Sequence, residues 1–216
     1  RKVSGTVTFH NQSGCGQTAP DQQMTMDMMS GFAANPNVYG TVVISLGCEN
    51  CQMDMVVAAI QQRTNKPLRT VIIQEVGGTD RAIEIASKYA SELVDEAAKV
   101  QRTPCDISEL ILGTECGGSD PTSGLAANPV LGLVCDKLID MGGTAILSET
   151  TEFIGAEHIL ASRARTDEVK KRLYQIIQRF EKNLAFVGEE VRDSNPSPGN
   201  IAGGITTLEE KSLGCI

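Results

Sequence analysis

Residues Glu109-Leu-Ile-Leu-Gly-Thr-Glu-Cys-Gly-Gly-Ser-Asp-Pro-Thr-Ser-Gly124 read as a short buried strand, a loop of glycine, serine and acid, and the start of a helix. Gly117 and Gly118 can take backbone angles closed to other residues. The loop is therefore expected to turn its N–H groups inward, towards an anion at the helix N-terminus. Cys116 stands at the carboxyl end of the strand, where open α/β sheets place their ligand sites.

Working outward from this stretch, short β-branched runs alternate with helical patterns. Strands are predicted at Val3–Phe9, Thr41–Leu46, Thr70–Glu75, Glu109–Gly113 and Thr144–Leu147, each bounded by glycine or a polar turn. Helices are predicted at Asp21–Phe32, Gln52–Arg63, Thr79–Gln101, Ala127–Met141 and Thr166–Val187. Gly142-Gly143 stops the fourth of these. The fifth carries an apolar stripe of Val169, Leu173, Ile176, Ile177, Phe180 and Leu184, with its basic residues facing water. This order predicts an α/β fold, a three-layer Rossmann-like arrangement of a mostly parallel sheet with helices on both faces. Residues 1–190 are expected to form that domain. Residues 191–216, rich in Asn, Ser, Pro and Gly, are expected to connect it to a further part of the chain.

The formal net charge of −8 argues against a nucleic-acid partner, whose phosphates call for a basic face. It leaves room for a small anion, because a local set of donors can outweigh net charge. No apolar run approaches the roughly eighteen residues of a membrane span. The seven cysteines are odd in number and dispersed among glycines, unlike a secreted disulfide scaffold. A reducing, cytoplasmic setting is the expectation. The opening at Arg1-Lys2 and the end at Leu213-Gly-Cys-Ile216 both read as cuts through a longer polypeptide.

Four predicted strands end in polar or thiol-bearing loops: Ser13-Gly-Cys-Gly-Gln17, Leu46-Gly-Cys-Glu-Asn-Cys51, the Cys116 loop, and Ser148-Glu-Thr-Thr-Glu152. In one parallel sheet all four would lie along the same carboxyl edge. The C-x-x-C pair Cys48 and Cys51 could serve zinc, redox chemistry or nothing, since a structural zinc site would need a second pair. Cys105 and Cys135 read as small buried hydrophobes. Of the two histidines, His10 and His158, the second has Glu149, Glu152 and Glu157 near it in sequence. Carboxylates beside an imidazole would suit acid–base work, and the same residues could equally form an exposed helix start. No G-x-G-x-x-G follows a strand, which weighs against a dinucleotide-binding domain.

Taken together, these segments resemble the altronate and galactarate dehydratase family. The resemblance rests on Pro36-Asn-Val-Tyr-Gly40 leading to Ser45-Leu-Gly-Cys-Glu49, on Glu115-Cys-Gly-Gly-Ser-Asp120, and on Ser123-Gly124 before Ala127-Asn-Pro129. It continues through Gly142-Gly-Thr-Ala-Ile-Leu-Ser-Glu149, Gly155-Ala-Glu-His158, Asn195-Pro-Ser-Pro-Gly-Asn200 and Glu210-Lys-Ser-Leu-Gly214. Cys51 departs from the pattern. The resemblance implies dehydration of a six-carbon sugar acid to a 2-keto-3-deoxy acid. A related branch eliminates sulfite from sulfolactate. It also implies a requirement for iron(II) or another divalent metal, an iron–sulfur cluster being the other arrangement that thiols would favour. Further domains of the same chain and a homo-oligomer are implied as partners. On this reading Gly117, Gly118, Ser119, Asp120 and Ser123 hold the substrate. Glu149, Glu152 and His158 are the candidates for acid–base work, and Cys15, Cys48 and Cys116 for metal ligation. A non-catalytic metal- or redox-binding module built on Cys48 and Cys51 is the competing reading.

Overall fold

The computed structural model describes residues 3–215, so the readings placed on Arg1, Lys2 and Ile216 lie outside the described residues. The chain divides into two compact units, Arg1–Arg102 and Thr103–Ile216. The predicted alternation of strand and helix is present in each. The single large sheet is not: among the described residues there are two separate two-stranded parallel sheets.

In the first unit, helix α1 (Ala19–Ala34) precedes strand β1 (Thr41–Ser45), helix α2 (Met53–Arg63), strand β2 (Leu68–Ile72) and helix α3 (Thr79–Ala97). β1 and β2 run parallel, with Thr41 opposite Leu68 and Ser45 opposite Ile72. Because side chains alternate across a strand, Val43 and Leu68 join Ala33, Cys51, Val56 and Ile60 in a core with α1 and α2. Val42 and Val71 face the other way and pack with Ala82 and Ala86 of α3. Lys66 closes the carboxyl end of α1 by donating to the carbonyls of Ala34 and Asn35, a favourable place for a cation. The predicted strand Val3–Phe9 does not form. Residues 6–10 pair with no strand, Val7 and Phe9 are exposed, and the Phe9 ring stacks on Phe32 of α1.

In the second unit, strand β3 (Ile111–Thr114) leads through one π-helical turn (Ser123–Ala127) into helix α4 (Asn128–Asp140) and strand β4 (Thr144–Leu147). β3 and β4 are parallel in the register Ile111 to Thr144 through Thr114 to Leu147. Gly142, at φ 84°, makes the turn between α4 and β4. A Cβ on Gly143 would lie 2.4 Å from Leu138 Cδ1, so only glycine fits there. The apolar side chains of this sheet are less covered than parallel strands usually are, with Ile111 63% and Ile146 50% exposed.

Helices α5 (Glu157–Ser162), α6 (Asp167–Phe186), α7 (Val191–Ser194), α8 (Pro198–Ala202) and α9 (Leu208–Cys215) complete the unit. Thr166 caps α6 by accepting from the Val169 N–H. Ile177 of its apolar stripe is buried with Phe153, Ile154, Val191 and Leu208, and Leu173, Phe180 and Leu184 pack against them. Val169 and Ile176 of that stripe remain exposed. The stretch expected to be a connector therefore supplies two core residues, Val191 and Leu208, and three helices of this unit. Among the described residues no helix is long and apolar enough to cross a membrane.

Two expectations follow from this packing. Cys51 is 7% exposed, and burial first, then the nearby Glu49 carboxylate, pushes its thiol up from the ordinary cysteine value. Alkylation of the folded protein near pH 8 should modify exposed Cys15, Cys48 and Cys105 at least about tenfold faster than Cys51. Peptide mass mapping reads this directly, and equal rates would remove Cys51 from the core.

The second expectation concerns Arg192 of α7, which joins Glu157 of α5 at 2.7 Å and Glu181 of α6 at 2.8 Å. Burial alone would raise the Glu157 carboxyl. The Arg192 guanidinium and the N–H groups of Glu157 and Gly155 outweigh it and hold the carboxyl below the usual glutamate range. A carboxyl depressed in the folded state stabilises the protein above its unfolded pKa, and that stabilisation fades as pH falls through the folded value. Arg192→Ala should therefore cost about 1 kcal/mol at neutral pH, the guanidinium being half exposed. The difference from wild type should shrink below about pH 4.5, the ordinary glutamate value. Thermal melts at neutral and acid pH check both statements.

Candidate functional site

The four loops expected at strand ends associate two by two, although the Cys15 loop follows no strand. In the first unit, Asn50 N–H donates to the Gly14 carbonyl at 2.9 Å, and Gln22 Nε2 donates to the Asn50 carbonyl at 2.7 Å. The Cys15 loop is thereby tied to the Cys48 loop. Within the latter, Glu49 turns its carboxylate back on its own backbone. It accepts from the Leu46 N–H and, at 2.8 Å, from the Gly47 N–H. Burial would raise this carboxyl, but the loop N–H groups, Gly47 first, hold it lower than usual. Gly47 is required for the turn: its φ is 120°, and a Cβ there would lie 2.7 Å from Gln74 Oε1. The anion cradle of this loop is filled by the loop's own glutamate.

Cys48 and Cys51 do not behave as a pair. Cys48 is exposed, whereas Cys51 is buried, its Sγ 3.9 Å from Gln17 Oε1 and 3.9 Å from the Gln22 carbonyl. That places Cys51 with the core rather than with a redox or metal motif. Cys105, expected to be buried, is exposed, and Cys135 is half-buried. His10 is exposed.

In the second unit the Cys116 and Glu149 loops enclose a cavity of about 510 Å³. That is within the roughly 300–1,000 Å³ usual for small-molecule sites. Thr114 and Leu147 open its floor, where β3 and β4 end. Cys116, Gly117, Gly118, Ser119 and Asp120 line one side, Ser148, Glu149 and Glu152 another, and Glu210 and Lys211 a third. Cys116 N–H donates to Glu149 Oε2 at 2.6 Å, and Cys116 Sγ lies 3.4 Å from Ser119 Oγ. The expected cradle thus binds a carboxylate, and that carboxylate belongs to the opposite loop.

The glycines do not supply the unusual backbone here. Gly117 and Gly118 lie outside the left-handed region, and a Cβ on either would meet open space. The left-handed residue is Glu149 itself, at φ 59° and ψ 86°. A side chain other than glycine in this conformation costs on the order of 1 kcal/mol or more, and such residues gather at functional sites.

Asp120 and Ser123 are committed to helix capping. Asp120 Oδ1 accepts from the Thr122 N–H at 2.8 Å and from the Thr122 hydroxyl, and Asp120 N–H donates to Ser123 Oγ at 3.2 Å. These bonds, the Thr122 hydroxyl first, hold the Asp120 carboxyl below its ordinary value. The Ser123 N–H completes the turn by donating to the Asp120 carbonyl at 3.0 Å.

The carboxylates near His158 in sequence face elsewhere. Glu157 is held by Arg192, and Glu152 by Lys211. His158 is exposed on α5 and does not line the cavity. Lys211, to which the sequence reading assigned no role, has its Nζ 3.2 Å from Glu152 Oε1, 3.0 Å from Oε2 and 2.9 Å from Asn195 Oδ1. The helix that carries it is fixed at its start: Glu210 N–H donates to Thr207 Oγ at 3.0 Å, and Glu210 accepts from the Thr206 N–H and hydroxyl. The fully buried Ser212 then donates to the Ile154 carbonyl.

Iron or an iron–sulfur cluster does not fit these side chains by themselves. Among the described residues no group of three or more His, Cys, Asp or Glu is placed to hold a metal ion. Cys116 turns its thiol towards Ser119 and the Gly117 carbonyl.

Comparison with known proteins divides the chain as the structure does. Residues 1–98 match the family described as D-galactarate dehydratase/altronate hydrolase, second domain, and residues 107–216 match D-galactarate/altronate dehydratase, C-terminal. The (2R)-sulfolactate sulfo-lyase subunit beta of Chromohalobacter salexigens is 38% identical over 99% of this chain and 54% of its own length. The altronate dehydratase of Bacillus subtilis is 39% identical over 97% of the chain and 41% of its own. The galactarate dehydratase (L-threo-forming) of Escherichia coli is 36% identical over 86% of the chain and 36% of its own. The chain thus spans about half, or less, of the curated relatives it matches. Its two units, matched in order and over nearly their full lengths, belong to the D-galactarate/altronate dehydratase family of lyases.

Proposed function

We propose that this chain forms the eliminating part of a hydro-lyase that removes water from a six-carbon sugar acid, such as altronate or galactarate, to give a 2-keto-3-deoxy acid. The observation that carries this reading is Glu149. Its carboxylate stands at the mouth of two parallel strands, in a strained backbone conformation, fixed by the Cys116 N–H beside a cavity of about 510 Å³. A base held at one oxygen by a hydrogen bond keeps the other directed at substrate. Among the described residues Glu149 Oε1 has no such bond.

The reaction on this reading is a β-elimination. A carboxylate takes the proton from the carbon bearing the substrate carboxyl group, leaving an enediolate. The electron pair forms a carbon–carbon double bond as the bond to the neighbouring hydroxyl oxygen breaks. That oxygen leaves with a proton, as water, and the resulting enol takes up a proton to become the keto acid. Carbon acids of this kind are weak, so the charge on the enediolate needs fixed donors or a cation. The Ser119 hydroxyl and the Gly117 and Gly118 N–H groups line the cavity as donors to the substrate's oxygens.

A second reading differs only in the leaving group. The similarity to a sulfolactate sulfo-lyase subunit supports sulfite departure from a 3-sulfo-2-hydroxy acid by the same first step.

Glu149→Gln, made in the full-length protein, should lower kcat by at least about a hundredfold, and His158→Ala should cost less. Steady-state assays on altronate, galactarate and sulfolactate measure this and identify the leaving group as water or sulfite. Turnover of Glu149→Gln within a few-fold of wild type would remove Glu149 as the base.

A further inference from the structure

We propose that Lys211 is the cation that receives the substrate's carboxylate and stabilises the enediolate formed from it, with Glu152 and Asn195 positioning its ammonium. This deepens the elimination reading above and rests on it. Lys211 is the fourth residue of α9 and only 10% of its side chain is exposed. An ammonium so buried is costly unless paired and hydrogen-bonded. It donates hydrogen bonds to Glu152 Oε1 at 3.2 Å and Asn195 Oδ1 at 2.9 Å, and Glu152 Oε2 stands 3.0 Å away as its ion-pair partner. A lysine ammonium has three protons to donate. Glu152 and Asn195 account for two, and among the described residues the third has no acceptor. Lys211 lines the cavity, so a ligand oxygen can take that place.

The charge of the cavity wall favours the same assignment. Glu115, Asp120, Asp136, Glu149, Glu152 and Glu210 all contribute to it. An acid substrate entering such a wall needs a fixed positive charge. Arg163 and Lys211 are the cations that line it, and Lys211 is held by bonds from two directions, at Glu152 and at Asn195. Its position is set by the Thr206, Thr207 and Glu210 cap before it and by the Ser212 bond to Ile154 after it. A cation so restrained does not have to reorganise as charge develops, which is where electrostatic catalysis is strongest. The pairing also separates the two cavity glutamates. Glu152 is held to Lys211 through a hydrogen bond at Oε1, whereas Glu149 Oε1 has no hydrogen bond among the described residues, which favours Glu149 as the base.

The test is a double-mutant cycle in the full-length protein, assayed on altronate and galactarate. Lys211→Met should lower kcat/KM by at least about a hundredfold. The same loss would follow if Lys211 merely neutralised Glu152, so the deciding variant is Lys211→Met with Glu152→Gln, which replaces the ion pair by neutral groups of similar size. Its melting temperature should lie close to wild type, since neutral replacement of a buried pair is often tolerated. Its activity should stay as low as that of Lys211→Met alone. Recovery of the double variant to within tenfold of wild type would overturn the proposal and leave the pair a structural one. Lys211→Met turning over within tenfold of wild type while Glu149→Gln is inactive would overturn it and leave the elimination reading standing. A wild-type protein inactive on every acid offered would remove both.

Discussion

A lysine ammonium cannot be withdrawn from water without partners, and the arrangement of the second unit follows from how Lys211 finds them. Glu152 comes from the loop after β4, Asn195 from the end of α7, and Lys211 from α9. One charge therefore draws together three segments that are far apart in the chain. The neighbouring Ser212 adds a bond to the Ile154 carbonyl, and Leu208 adds an apolar contact to Phe153 and Ile154. Polar and apolar sides of α9 thus grip the same short segment. Desolvation makes such contacts costly to lose, and Glu152 Oε2 and Asn195 Nδ2, buried without a hydrogen-bond partner, leave polar capacity beside the cavity.

Local signals were legible in the sequence, and distant ones were not. Strand Thr144–Leu147 was delimited to the residue, because Gly142-Gly143 before it and Ser148-Glu149 after it leave no other boundary. Thr166 and Thr79 placed the starts of α6 and α3 to within a residue. Val3–Phe9 misled because a β-branched run becomes a strand only when a neighbour supplies its hydrogen bonds, and none does so here. The same limit explains the sheet. Period and turn residues locate strands but not their partners, so two pairs read like one continuous sheet.

Within the candidate site, neighbours close in sequence are legible and partners distant in sequence are not. Cys116, Ser119, Glu149 and Glu152 were singled out, and all line one cavity. Asp120 and Ser123, expected to hold substrate, line the same cavity and also bond to each other and to Thr122. Lys211 escaped notice because its meaning depends on Glu152, 59 positions earlier. His158 drew attention through carboxylates adjacent in sequence. Each of those carboxylates had a stronger claim elsewhere, on Arg192, on Lys211 or on a backbone N–H.

The two units solve one problem in two ways, and the difference bears on which can accept a ligand. Each has a strand–helix–strand core whose first strand ends in a loop with inward N–H groups, and in each a glutamate carboxylate occupies them. In the first unit Glu49 closes a loop on itself, two and three residues from its donors, and its carboxyl is held ionised by the loop that contains it. Such a contact forms as soon as the turn does and needs nothing from the rest of the fold. In the second unit the donor and acceptor are 33 residues apart, on the ends of different strands, and the acceptor sits in a strained conformation. Strain is kept only where surrounding structure over-determines it, and the β3–β4 register together with the α9 clamp on the segment after Glu149 supplies that constraint. The self-closed loop spends the Leu46 and Gly47 N–H groups on its own glutamate, whereas the bridge between Cys116 and Glu149 joins two residues that both line a cavity. That asymmetry, rather than the presence of a thiol or a glycine pair, is the physical ground on which the proposed elimination is assigned to the second unit.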